Sequence, residues 1–160
     1  MDLISSRTID ITKLAMDGLL DRQQAISSNI ANVMTPDYQR KEVAFESQLA
    51  EIIEKEDLKD FIKGQNSIEY VPPNIDVFTG EIHKYRTPSM QEKAFLQYNT
   101  FEDFKPQYVT DIYSGSNSDG NNVELEREMM DLSKTGTRYL VLSNLERRQF
   151  AELSSVIRGQ

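Results

Sequence analysis

The chain of 160 residues contains no cysteine. That excludes a disulfide framework and any thiolate metal site, and it removes one nucleophile from consideration. It is compatible with either cytoplasm or periplasm. Histidine is nearly absent as well: His83 is the only one, flanked by Ile82 and Lys84 in an acidic stretch, where a surface position is the expectation. No glycine-rich phosphate loop occurs. With 26 acidic residues, some carboxylates must fall near one another by chance, so no constellation argues for catalysis. The chain therefore reads as non-enzymatic, with no catalytic residue, cofactor or resident metal expected.

Long apolar runs are missing too. No stretch of eighteen apolar residues exists, so no membrane-spanning helix is expected. The N-terminus has no basic region ahead of an apolar core, so no cleavable secretory signal is expected. Nor is there a basic stripe. The net charge is −8, and residues 35–122 supply −7 of it, while residues 1–34 and 123–160 are nearly neutral. Nucleic acid is thus an unsuitable partner, and the middle of the chain reads as a solvated acidic segment.

What remains is helical periodicity at both ends. From Val123 to Ile157 a largely apolar stripe recurs at close to heptad spacing: Leu125, Met129, Leu132, Gly136, Tyr139, Leu142 or Ser143, Glu146, Phe150, Leu153 and Ile157. Acids lead it (Glu124, Glu126, Glu128, Asp131) and arginines trail it (Arg147, Arg148, Arg158), which suits the helix dipole. Such a helix would be about 50 Å long, too long for so short a chain to bury in one compact core. A second long helix is expected over Leu3–Val33, with an apolar face that includes Ile11, Met16, Leu19, Ile26 and Ile30. Small residues Ala15, Gly18 and Ala25 would let another helix approach closely. Pro36 should end this helix near Thr35.

The expected fold is mainly α: two long terminal helices pairing as an antiparallel, coiled-coil-like bundle around a short irregular, β-containing middle. The expected divisions are an N-terminal assembly helix at 1–36, an acidic middle at 37–118 and a C-terminal assembly helix at 119–160. Within the middle, Phe45, Leu49, Ile52 and Ile53 predict a helix reaching Ile62 with Gly64 as its stop. Short strands or extended loop are expected over 65–87. A further helix is expected from Thr87-Pro88 toward Pro106.

Two motifs stand out. The first runs Ser28-Asn29-Ile30-Ala31-Asn32-Val33-Met34-Thr35-Pro36-Asp37-Tyr38. Asn29 and Asn32 share one helix face, and each amide has donors and an acceptor with which to tie the helix end to neighbouring backbone. By spacing alone this is also ordinary helix-termination chemistry. The second runs Asp119-Gly120-Asn121-Asn122-Val123-Glu124-Leu125-Glu126. Its residues suit an Asn-rich turn capping a helix whose first turn is acidic. A calcium-loop reading places Asn117, Asp119 and Glu126 at ligand positions, but Gly115 would then occupy the first ligand position without a side-chain oxygen, and polar Asn122 the eighth. The capping reading is preferred.

The first motif resembles the N-terminal signature of the bacterial flagellar axial proteins (rod, hook and hook-associated subunits). Asn29, Ile30, Ala31, Asn32, Thr35, Pro36 and Tyr38 carry the match. Members of that superfamily often have glycine before the tyrosine, where this chain has Asp37, which implies a slightly different turn. Within the superfamily, Asp119, Gly120, Asn121, Asn122, Val123 and Glu126, with Tyr139 further on, resemble the proximal rod proteins of FlgB type. That resemblance implies a structural subunit of the flagellar basal body, exported by the flagellar type III apparatus without a cleaved signal and assembled in the periplasmic rod near the export gate. It implies other rod proteins, a basal-body adaptor and copies of itself as partners, and terminal helices that order fully only on assembly. The alternative reading is a soluble helical adaptor or chaperone that uses the same apolar stripes on one partner.

Overall fold

The computed structural model describes residues 6–66, 89–111 and 118–159. Of the strands or extended loop expected over 65–87, residues 65 and 66 instead end a helix, and 67–87, with His83, lie outside them. The elements run α1 (Ser6–Ala31), β1 (Lys41–Ala44), α2 (Glu46–Asn66), α3 (Met90–Gln97), a 3-10 turn (Thr100–Asp103), β2 (Gln107–Thr110) and α4 (Leu125–Arg158). The chain is mainly helical, and its two long terminal helices pack on each other as expected. They run antiparallel, since Asn29 late in α1 meets Glu128 early in α4, while Ala15 and Leu19 share a groove with Val141 and Leu142.

Two compact units divide the chain, one formed by Met1–Ala50 with Phe104–Gln160 and the other by Glu51–Asp103. In the first unit α1 lies against α4 and also against β1. β1 pairs antiparallel with β2, Lys41 opposite Thr110 and Ala44 opposite Gln107. No periodicity in the polar stretch after Pro36 announced this two-stranded sheet. It forms because a four-residue strand can be specified by one anchored side: Val43, fully buried, faces the core while Lys41, Glu42 and Ala44 stay exposed.

The core of that unit gathers Leu19, Ala25, Val43 and Phe45, with Leu49, Phe104, Tyr139 and Leu142 packed around it. Phe45 and Phe104 meet edge to face with centroids 6.3 Å apart, and the Arg22 guanidinium lies 4.7 Å over the Phe45 ring. Arg22 also holds the Val43 carbonyl at 2.7 Å and the Glu46 carboxylate at 2.6 Å. Burial works against the Glu46 charge, but the hydrogen bonds and charge of Arg22 outweigh it and keep Glu46 below the usual carboxylate range.

One small residue of α1 serves a purpose different from the expected one. Gly18 makes room for an aromatic ring rather than for a helix: a Cβ there would sit 2.6 Å from two Phe45 ring carbons. Gly136 in α4 is the opposite case, since a Cβ there would meet only the Gln23 amide at 3.8 Å. The two substitutions should therefore differ in sign. Gly136→Ala is expected to stabilise by about 1 kcal/mol through helix propensity, whereas Gly18→Ala is expected to destabilise by about 1–2 kcal/mol because overpacking outweighs the same propensity gain. Chemical denaturation of both variants checks this, and Phe45→Leu should recover part of the Gly18→Ala loss.

In the second unit α2 continues through Gly64 to Asn66, so Gly64 does not stop it; its position is open, with nothing for a side chain to meet. α3 begins later than expected, at Met90. Ser89 caps it in a reciprocal capping box with Glu92. It ends at Gln97, because Tyr98 turns to an extended conformation, and the 3-10 turn follows. Buried Lys59 reaches Glu56 at 2.7 Å and the Tyr98 carbonyl at 2.6 Å, and the Thr100 hydroxyl donates to Glu56. Among the described residues, no helix is long and apolar enough to cross a membrane.

Candidate functional site

The two sequence motifs, about ninety residues apart in the chain, come together where α1 ends and α4 begins. α1 closes with turns from Asn32 to Asp37, and the segment after it doubles back along its own helix. The pivot is Asn29, which is fully buried. Its Nδ2 donates to the Lys41 carbonyl at 2.8 Å and its Oδ1 accepts the Lys41 N–H at 2.9 Å, so one side chain satisfies both backbone polar groups of Lys41 in β1. The same Nδ2 donates to Glu128 at 3.0 Å, and the Tyr38 hydroxyl donates to Oδ1 at 3.3 Å. Asn32 acts locally, donating to the Ser28 carbonyl and accepting from the Thr35 hydroxyl.

The second motif supplies the missing cap. Helix ends leave carbonyls without intrahelical partners. Asn121, also fully buried, points its Nδ2 at the carbonyls of Asn32, Val33 and Thr35, at 3.0, 3.0 and 2.8 Å. Its Oδ1 accepts the Val123 N–H at 2.7 Å, setting the chain on course for α4. Asp119 Oδ1 accepts the Asn121 N–H, and the Asp119 carbonyl accepts the Asp37 N–H. Asn122 accepts the Arg40 N–H at 2.6 Å and donates to the Asp111 carbonyl. Residues 37–40 and 119–122 thus interlock through three successive contacts, one between backbones and two through side chains, the middle one from Gln39 Nε2 to the Gly120 carbonyl.

An ion pair locks the junction from inside. Arg40 and Glu128 are both buried, with Nε 2.5 Å from Oε1. Glu128 is satisfied on both oxygens, by Arg40 and by Asn29. Arg40 further reaches Glu42 at 3.1 Å, Asp111 at 3.4 Å and Asp131 at 3.5 Å. Burial opposes the guanidinium charge, but the hydrogen bond and charge of Glu128 overcome it, with Glu42 adding to them, and raise Arg40 above its already high ordinary value. Neither Arg40 nor Glu128 stood out in the sequence as a site residue.

Asp37 and Gly120 face each other across the interlock, and both have positive φ, at 59° and 80°. Asp37 thus adopts the conformation that glycine favours. A Cβ on Gly120 would fall on the Asp37 carboxylate. Gly120→Ala is therefore expected to destabilise by about 1–3 kcal/mol, and Asp37→Gly to be neutral or to stabilise by up to about 1 kcal/mol; thermal unfolding distinguishes the two.

Of the other motif residues, Ile30 is half-buried and Val123 buried, while Ala31, Thr35, Pro36 and Glu126 are exposed. Positions 115 and 117 of the calcium-loop reading lie outside the described residues. On α1, Leu19 and Ile26 are buried and Ile11 is half-buried. On α4, Leu132, Tyr139, Leu142 and Leu153 are half-buried, whereas Leu125, Met129, Phe150 and Ile157 are exposed, Met129 at 59% and Ile157 at 84%. The face of α4 turned inward carries Glu128, Leu132, Thr135, Tyr139, Leu142, Glu146, Gln149 and Leu153, alternating steps of four and three. It is more polar than the apolar stripe, and it leaves Met129, Met130, Leu140, Val141 and Phe150 outside.

No family model matches the chain. Three relatives do, and all are called flagellar basal body rod protein FlgB. That of Borreliella burgdorferi is 29% identical over 152 residues, covering 95% of this chain and 96% of its own. That of Borrelia hermsii is 29% identical over 157 residues, covering 97% and 98%. That of Bacillus subtilis is 24% identical over 157 residues, covering 96% and 95%. The chain is thus similar to the flagellar basal body rod proteins named FlgB along nearly its whole length, and both halves of its buried junction lie within that similarity.

Proposed function

We propose that the chain is a structural subunit of the bacterial flagellar basal-body rod, acting by assembly rather than by catalysis. The observation that carries this reading is similarity over nearly the full length of three rod proteins. The junction supports it: a rod subunit must transmit torque, and buried asparagines with an internal ion pair make the meeting point of its terminal helices stiff and specific in register. The exposed apolar residues of α4 support it as well, because such residues on a long helix suit burial against neighbours.

In this reading residues 1–36 and 119–158 form the assembly surface and the acidic middle faces outward. Partners are other rod proteins, the basal-body adaptor, the export gate and copies of the same chain. The subunit leaves the cytoplasm through the flagellar type III apparatus without a cleaved signal, with its terminal helices fully ordered only on assembly. A strain lacking the gene should be non-motile and should show no rods by electron microscopy of basal bodies, with both restored by the intact chain. Normal rods in the deletion strain would overturn the proposal. Circular dichroism tests the ordering step, and strong cooperative helicity of a dilute monomer would count against it.

A further inference from the structure

Two exposed apolar features of the chain match in shape and charge. One is a groove of about 360 Å³ in the first unit, walled by Ala15, Leu19, Phe45, Val141 and Leu142. Arg138 stands on its edge and also borders a neighbouring pocket of about 200 Å³, where Lys41 adds positive charge and Lys134 faces Asp131 at 3.6 Å. The carboxylates of that pocket, Glu42 and Asp131, already face Arg40. Among the described residues, the Arg138 guanidinium has no such carboxylate. The other feature is a ridge on α2. Leu58 and Phe61 are 50% and 61% exposed. Glu54 lies at i−4 from Leu58 on the same helix face, and Asp57, also exposed, lies beside it. The groove is apolar, lined also by Glu46, whose charge Arg22 already holds, and it carries Arg138 on its edge; the ridge is apolar with an acidic edge.

We propose that the Glu54–Leu58–Phe61 face of α2 in one copy seats in the α1–α4 groove of a second copy, Phe61 against Val141 and Glu54 toward Arg138. The contact joins two different surfaces, so each copy keeps a free groove and a free ridge. Such head-to-tail pairing extends into an open helical array unless its rotation closes. The inference rests on the rod reading and deepens it by naming one contact through which copies stack.

The absence of cysteine makes the contact directly testable. Phe61→Cys and Val141→Cys chains, differing in size by a tag, are mixed and oxidised. Both positions are more than half exposed, so each variant should fold. A disulfide needs Cα atoms within about 7 Å, and the expected product is the mixed Phe61→Cys/Val141→Cys dimer in excess over both homodimers. Glu54→Arg or Arg138→Glu in the cross-linking chains should lower its yield by about tenfold, and the two changes together should restore it. Mixed and symmetric dimers in statistical proportion would overturn the contact, as would closure of the doubly substituted Phe61→Cys/Val141→Cys chain on itself at high dilution. If the unmodified chain assembles with rod proteins while the mixed disulfide fails to form, this contact is wrong and the rod reading stands. If the unmodified chain never assembles, the rod reading falls and takes the contact with it.

Discussion

Glu128→Ala is expected to be the most destabilising single change in the chain, costing about 3–5 kcal/mol. The reason is what it leaves behind. Arg40 is 4% exposed, and its strongest partner is Glu128 at 2.5 Å. Removing that carboxylate leaves a buried guanidinium that cannot lose its charge with only the longer contacts to Glu42, Asp111 and Asp131, while Asn29 Nδ2 keeps only the Lys41 carbonyl. For a chain of this size the loss corresponds to a fall in Tm of about 6–20 °C. Arg40→Ala should cost a similar amount, because it leaves Glu128 buried against Asn29 alone. The double variant Arg40→Met, Glu128→Leu should lose much less than the sum of the single changes, since no buried charge then remains unpaired. Thermal unfolding of the four proteins gives the coupling energy. Additive losses would mean that the pair is solvated and the junction open.

Asn121→Asp is expected to be at least as damaging as Asn121→Ala, at about 2–4 kcal/mol, although it alters a single atom of the side chain. The Asn121 amino group faces three carbonyls of the turn just beyond α1, within 3.0 Å of each. A carboxylate can still accept from the Val123 N–H, but its second oxygen would point at those carbonyls and repel them. If the role of Asn121 were only to turn the chain into α4, aspartate would serve nearly as well as asparagine. Comparing the three proteins by urea denaturation therefore separates the two functions of the side chain, with Asn121→Asp near wild type as the outcome that would refute the cap. Hydrogen exchange should further show the loss concentrated in the last turn of α1 and the first turn of α4.

Much of this architecture was legible as pattern. The long helices follow from apolar periodicity over residues 3–33 and 123–157, and their ends from Pro36 and from the Asn-rich turn before Leu125. The asparagines were recognisable as side chains able to tie down backbone, because their amides carry both donors and acceptors. The rotation of α4 was legible only in part: Leu132, Tyr139, Leu142, Glu146 and Leu153 of the periodic stripe do face inward. Ranking residues by apolarity selects Met129, Gly136 and Phe150, whereas the structure turns Glu128, Thr135 and Gln149 inward, each one residue and about 100° away. Hydrophobicity cannot choose between these faces when the true seam is polar.

Composition and periodicity were enough to settle a cysteine-free, helical chain with two long amphipathic ends, because helix spacing and chain punctuation are local properties. Which residue's backbone Asn29 satisfies, which carbonyls Asn121 holds, why Gly18 must stay small and why Arg40 can be buried were decided only in three dimensions. Each depends on a partner between twelve and about ninety residues away, and a polar side chain reveals in sequence how many hydrogen bonds it can make but never with whom.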